Sequence, residues 1–183
     1  MEETQEDRGT RWLDDQEQEN WHAFAYLLSQ LPAALEAQMQ RDAGFGHFEY
    51  LVLSALSGAP GGTLRMSEVA HYTGSTLSRL SNLVSRLEKR GWVTRRPDPD
   101  DGRYTLASLT GDGRRATAAA APAHVAEVRR LVLDPLTRAQ QRQLGAAAQR
   151  ILTALQAPCP PAVTHRAAPP CPPPSAERGA DPA

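Results

Sequence analysis

The stretch MSEVAHYTGSTLSRLSNLVSRLEKRGWVTRRPDPDDGRYTLASL, residues 66–109, decides how this chain folds. Ser67 is placed to cap a short helix carrying Val69 and Ala70, and Gly74 suits the tight turn that follows. Ser75 or Thr76 then caps a long helix that runs to Gly91, where a left-handed C-cap is expected. Residues 92–96 and 103–109 are β-rich runs joined by PDPDDG, a turn of Pro, Asp and Gly. Short helix, glycine turn, long helix is the order of a helix-turn-helix, and the hairpin extends it.

The long helix divides cleanly by chemistry. Leu77, Leu80, Val84 and Leu87, with Leu83 beside them, form an apolar stripe expected to face the core. The other side carries Ser75, Ser78, Arg79, Asn82, Ser85, Arg86 and Lys89. Arg79, Asn82 and Arg86 are three and four residues apart, so they project to one side. Arginine can pair with guanine O6 and N7, and asparagine with adenine N6 and N7, so this face suits the DNA major groove. The small hydroxyl residues Ser75, Thr76 and Ser78 let the backbone approach a phosphate near the positive end of the helix.

The hairpin adds weight of its own. Arg95 and Arg96 flank its strands, with Arg95 counted among the expected DNA contacts, and the turn closes with Asp101-Gly102-Arg103. An arginine at a loop tip can enter the minor groove, where negative potential is concentrated. Asp101 would repel a phosphate, so it reads as a brace holding an arginine in a fixed pose.

Charge is distributed accordingly. Residues 1–20 hold eight acids against Arg8 and Arg11, a balance of −6. Residues 75–96 hold six basic residues against Glu88, a balance of +5, within a chain whose net charge is −1. A basic patch in a near-neutral protein is the footprint of a nucleic-acid face, although an ordinary solvated helix face has the same composition. The hairpin tips that balance toward DNA.

Around this unit the chain reads as mainly helical, with residues 1–13 an acidic disordered start. From Asp14 to about Arg41, Trp21, Phe24, Ala25, Leu28, Leu31, Leu35 and Met39 recur at helical spacing, with Pro32 as a kink or a break between two helices. A second apolar helix spans residues 48–56 and ends at Gly58, and residues 58–63 form a loop. Thr110 starts a helix bent by Pro122, and Thr137 caps a last one through Leu144, Ala148, Ile151 and Leu155. Residues 157–183 form a disordered Pro-rich tail that carries Cys159 and Cys171, read as reduced bystanders. With no run of apolar residues long enough for a membrane and an acidic, polar N-terminus, a cytoplasmic protein is expected. HExxH, GxSxG, a phosphate loop and paired catalytic acids are all missing from the sequence, so no enzyme, cofactor or metal site is expected.

At residues 67–110 the sequence resembles the MarR family of winged helix-turn-helix regulators. RLEKRGWV, the R-R-x-D-P-x-D-x-R wing and the closing LT are its most specific parts, and the helix layout extends the likeness over roughly residues 14–156. The resemblance implies a mainly α (α+β) winged helix-turn-helix. Its DNA-binding part would be residues 63–110, with dimerisation helices in 14–43 and 111–156. It places Ser78, Arg79, Asn82 and Arg86 in the major groove and Asp101 and Arg103 in the wing. Gly102, Asn82 and Gly113 depart from the family: arginine is common at the first two positions and an acid at the third, so the bases read at Asn82 are expected to differ and the capping box at Thr110 to be weaker. Family members also bind small aromatic or phenolic effectors, for which Trp21, His22, Tyr26, His47 and Tyr50 are the candidate contacts.

The expected function is a homodimeric regulator, a repressor on a pseudo-palindromic DNA site. The alternative is a winged-helix module that associates with an acidic protein without reading DNA sequence.

Overall fold

The computed structural model describes residues 10–156, in two compact units divided between Pro135 and Leu136. Residues 1–9 and 157–183, with the acidic start of the chain, the Pro-rich tail, Cys159 and Cys171, lie outside the described residues.

The first unit begins with α1 (Asp15–Ala43), opened by a capping box in which Asp14 and Glu17 each accept the other's backbone N–H. Pro32 lies inside this single helix, on its exposed side, and does not divide it. The expected apolar stripe is buried only toward its C-terminal end, at Leu35 and Met39, while Trp21 and Leu28 remain more than half exposed. Gly44, at φ 73°, ends the helix in the left-handed conformation.

Next come α2 (His47–Gly58), a 3-10 turn at Pro60–Gly62 and a short strand β1 (Thr63–Arg65). The strand replaces the end of the expected loop. Three residues carry no readable alternation, and only pairing with β3 makes them a strand. The helix-turn-helix follows as α3 (Met66–Tyr72), a turn with Gly74 at φ 60°, and α4 (Leu77–Lys89). Ser67 does not cap α3. The helix starts two residues earlier than that cap implies, with Arg65 at the cap position, and Glu68 accepts the Arg65 N–H at 2.7 Å instead. Thr76 caps α4, accepting the Arg79 N–H.

Strands β2 (Val93–Pro97) and β3 (Thr105–Leu109) form the hairpin, and the antiparallel sheet has the order β1-β3-β2. Met39, Phe45, Val52, Leu53, Leu56, Val69, Leu80, Leu83, Val84, Leu87, Val93 and Ala107 close one continuous core beneath it. Leu77 departs from the expected stripe: at the first turn of α4 it lies beyond the packed elements and is 56% exposed.

The sheet returns to the helices through one junction. The Thr110 N–H donates to Trp92 O, its hydroxyl donates to Gly91 O at 2.7 Å, and that hydroxyl accepts the Gly113 N–H at 3.0 Å. Thr110 therefore caps α5 (Gly111–Val128) without help from an acid at position 113. A side chain there has no room, because a Cβ on Gly113 would collide with the Trp92 carbonyl oxygen and approach Leu109 Cδ1 to 2.8 Å. The family departure at Gly113 is thus matched to a close approach of backbone to backbone. Pro122 lies within α5, which runs on into a π-helical turn at Arg129–Leu133.

The second unit contains α6 (Arg138–Gln156), capped reciprocally by Thr137 and Gln140. Ile151, Leu152 and Leu155 on it are exposed. No helix of the described residues is long and apolar enough to cross a membrane.

Replacing Gly113 by Ala should cost about 1–3 kcal/mol through overpacking. Urea unfolding of the variant checks this, and a midpoint equal to the parent chain's would remove the close-approach argument.

Candidate nucleic-acid interface

Burial of Leu80, Leu83, Val84 and Leu87 fixes the rotation of α4 about its own axis. At about 100° per residue, the side opposite this seam falls on Ser78, Asn82, Ser85 and Lys89. Ser78, Asn82 and Lys89 are exposed, and Ser85 is half-buried.

Arg79 and Arg86 lie on the flank toward α2. The Arg79 guanidinium stacks 4.5 Å over the Phe48 ring, and Arg86 Nε stands 3.7 Å from a Glu49 carboxylate oxygen. Arg90 approaches the same carboxylate at 4.0 Å and covers the Trp92 ring. Glu49 is itself buried and anchored by the Gly46 N–H at 2.9 Å. Arg79, Asn82 and Arg86 therefore share a side, as their spacing of three and four predicts. They line one cleft of about 880 Å³ together with Glu36 and Gln40 of α1 and Phe48 of α2. What spacing could not show is that the two arginines already have partners.

Ser75 lies in the turn, half-buried, with its hydroxyl 3.2 Å from that of Thr73. Its neighbour Thr76 is committed to the cap. On the other flank of α4, Ser81, Ser85 and Glu88 receive the guanidinium of Arg95 from β2, at distances of 2.6–3.2 Å.

The wing tip is braced twice. Arg103 donates from Nε and Nη2 to the two oxygens of Asp101, at 2.9 and 2.7 Å, while its own side chain stays 85% exposed. This fork holds the carboxyl of Asp101 below the usual range, and it leaves a preset cation at the tip. Asp98 is the second brace, and sequence reasoning passed over it within the acidic run of the turn. It is 5% exposed, accepting the Asp100 N–H at 3.0 Å and Arg65 Nε at 2.7 Å. These bonds hold its carboxyl low as well, the backbone amide contributing most. Arg65 also stacks 4.6 Å over Tyr104, so β1 grips the base of the wing. The signal for this pair was the arginine at the end of β1, which only the strand pairing brings to the hairpin.

The five candidate effector contacts do not form one pocket within the chain. Trp21, His22 and Tyr26 lie exposed on α1. His47 lines the cleft, with its backbone N–H donating to a Glu36 carboxylate oxygen at 2.7 Å. Tyr50 is buried, its ring 4.5 Å from that of His124, which also lies 5.3 Å from His47. Among the described residues no group of three His, Cys, Asp or Glu could hold a metal ion.

Burial lowers both histidines from their ordinary value of 6.5, and for His47 the nearby His124 adds to this while Glu36 opposes it. The folded chain therefore binds fewer protons than the unfolded one just below that value. Stability should rise with pH through this range and fall on acidification. Thermal unfolding between about pH 7.5 and 5.5 should show a shallower loss for His124→Gln than for the parent. Parallel curves would discard the pair as the source.

With this geometry in place, the likeness to known proteins becomes specific. Residues 44–103 match the model of the MarR family. The fold superposes on Sco3205, a MarR family transcriptional regulator of Streptomyces coelicolor solved in complex with DNA. The TM-score is 0.78 and the identity 42%, over 81% of this chain and 92% of that one. AbsC, a MarR family regulator of the same organism, gives 0.75 and 35%, over 80% and 99% of the two chains. PcaV, also from Streptomyces coelicolor and solved with its natural ligand, gives 0.61 and 28%, over 72% and 93%. Against the curated transcriptional regulators it matches, the chain spans 53–62% of their length. Two structures covered over nearly their whole length at this identity carry the conclusion: the chain belongs to the MarR family of winged helix-turn-helix transcriptional regulators.

Proposed function

We propose that this chain regulates transcription in the cytoplasm by binding duplex DNA as a homodimer, as a repressor on a pseudo-palindromic site. The observation that carries the reading is the pairing of an exposed polar face on α4 with a wing that ends in a braced, exposed arginine. In this reading α4 lies in the major groove, where Ser78, Asn82, Arg79 and Arg86 meet base edges and phosphates. Arg103, aimed by Asp101, enters the minor groove. Thr76 and Ser75 bring the first turn of α4 close to the backbone.

The apolar residues left exposed at Trp21, Tyr26 and Leu28 of α1 and at Ile151, Leu152 and Leu155 of α6 support a second copy as partner. A twofold pair would set two recognition helices about one DNA turn apart. The complex of Sco3205 with DNA supports the nucleic-acid partner.

The cleft beside α4 supports a small aromatic anion as effector. Arg79, Arg86 and Arg90 supply cations there, and Phe45 and Phe48 supply ring faces. The ligand-bound structure of PcaV supports an effector within this family. His47 belongs to this cleft; Trp21, His22 and Tyr26 could reach an effector only through the partner copy. Binding there would lower DNA affinity by favouring a form in which the heads no longer match the site.

Selection from a random duplex library tests the reading. Asn82→Ala should relax base preference at particular positions by about 1–3 kcal/mol. Arg103→Ala should weaken all duplexes alike and reduce the salt slope of binding by about one ion. An unchanged selected motif would remove Asn82 from the reading face, and an unchanged slope would remove the wing contact.

A further inference from the structure

Glu88 is out of place on electrostatic grounds. It is the single acid within a stretch that otherwise carries six basic residues, on the helix that faces DNA in the reading above. An acid beside phosphate weakens binding unless something else is gained.

The structure shows what holds it. Both carboxylate oxygens point to β2. Oε1 accepts the Arg95 backbone N–H at 3.0 Å, and Oε2 accepts Arg95 Nε at 2.9 Å and Nη2 at 2.6 Å. The remaining guanidinium bonds run to Ser85 at 2.9 Å and Ser81 at 3.2 Å. Ser81, Ser85 and Glu88 follow one another along the flank of α4 that faces the sheet. Four of the five N–H groups of an arginine are used this way, which leaves little for a phosphate. Arg95 also sits opposite Ala107 of the central strand, so the strap grips the sheet itself. Both side chains are largely shielded, at 28% and 30% exposure, where a hydrogen-bonded ion pair is stronger than at the surface.

We propose that Glu88 is a positioning residue for DNA binding, which with Arg95 locks the wing to the recognition helix so that both reach their grooves together. The proposal rests on the DNA-binding reading. It reassigns Arg95 from DNA ligand to the strap, and it makes an acid on the DNA side favourable to binding.

The sign of one substitution separates the two roles. Using the full chain and a duplex selected by the parent protein, Glu88→Gln should weaken binding by about three- to tenfold, although it removes a negative charge. It should also lower the salt slope, because the wing arginine loses its place in the minor groove. Were Arg95 a direct phosphate ligand held back by Glu88, the same variant would bind more tightly with a steeper slope, and that result overturns the proposal.

A double-mutant cycle gives a second readout. Arg95→Met should lower the slope in the parent chain but add almost nothing in an Arg103→Ala background, whereas a direct contact would subtract about one ion in both. Ser81→Ala removes one bond of the strap without touching charge or core. It should weaken binding in the same direction with an unchanged unfolding midpoint, and parental affinity for this folded variant counts against the strap. Failure of the parent protein to select any duplex would overturn the DNA-binding reading along with it.

Discussion

The burial of one seam of α4 is the constraint on which the rest of the molecule depends. Leu80, Val84 and Leu87 are fully covered and Leu83 nearly so. Each contributes about 1.5–3 kcal/mol relative to an exposed side chain. A rotation of the helix would uncover one edge of this seam and drive a polar residue into the core. Every other side chain on α4 is therefore held at a set angle: Asn82 and Ser78 outward, the arginines toward α2, and Ser81 and Glu88 toward the sheet. Function on this helix follows from that packing.

Once the rotation is set, charges sort themselves by flank. On one side Glu49, buried and tied to the Gly46 amide, draws Arg86 and Arg90 to the mouth of a cleft, while Phe48 receives Arg79. The same guanidinium groups thus border both the helix face and the cavity proposed for an effector, and a ligand there would touch α4 directly. On the other side Glu88 and Arg95 join the helix to β2. At the far end of the hairpin, Asp98 with Arg65 and Asp101 with Arg103 stiffen the turn from its base and from its tip. Glu88, Asp98 and Asp101 each hold an arginine in place.

Much of this was legible in the sequence, and the reasons differ by element. Apolar spacing of three and four located α1, α2 and α4, and Gly74 and Gly91 marked turns because a positive φ favours glycine. The hairpin was readable from its turn chemistry, and Asp101 as a brace followed from its sign and its distance from Arg103. Strand β1 was not legible, since three residues have no period. With it were lost Arg65 and the part played by Asp98. Leu77 belonged to the stripe by spacing, yet it lies where the helix has outrun its neighbours. Gly113 looked like a weakened cap, and only the Trp92 carbonyl above it explains the glycine.

The sequence by itself determined the order of the helices and the hairpin, most of the apolar and polar sides of the helices, and the family, because these depend on neighbours three to six residues apart. The tertiary structure decided which charged groups are engaged. Arg95 and Arg79 are alike in sequence, each an arginine in a basic stretch, and Arg103 closes an acidic turn. They differ in what the fold brings within 5 Å: an acid and two serines, an aromatic ring, or a single acid at an exposed tip. Interaction strength falls so steeply with distance and exposure that contacts between separate elements, which no local pattern encodes, settle the roles of Arg95 and Arg79, while the partner of Arg103 lies two residues away in the same turn.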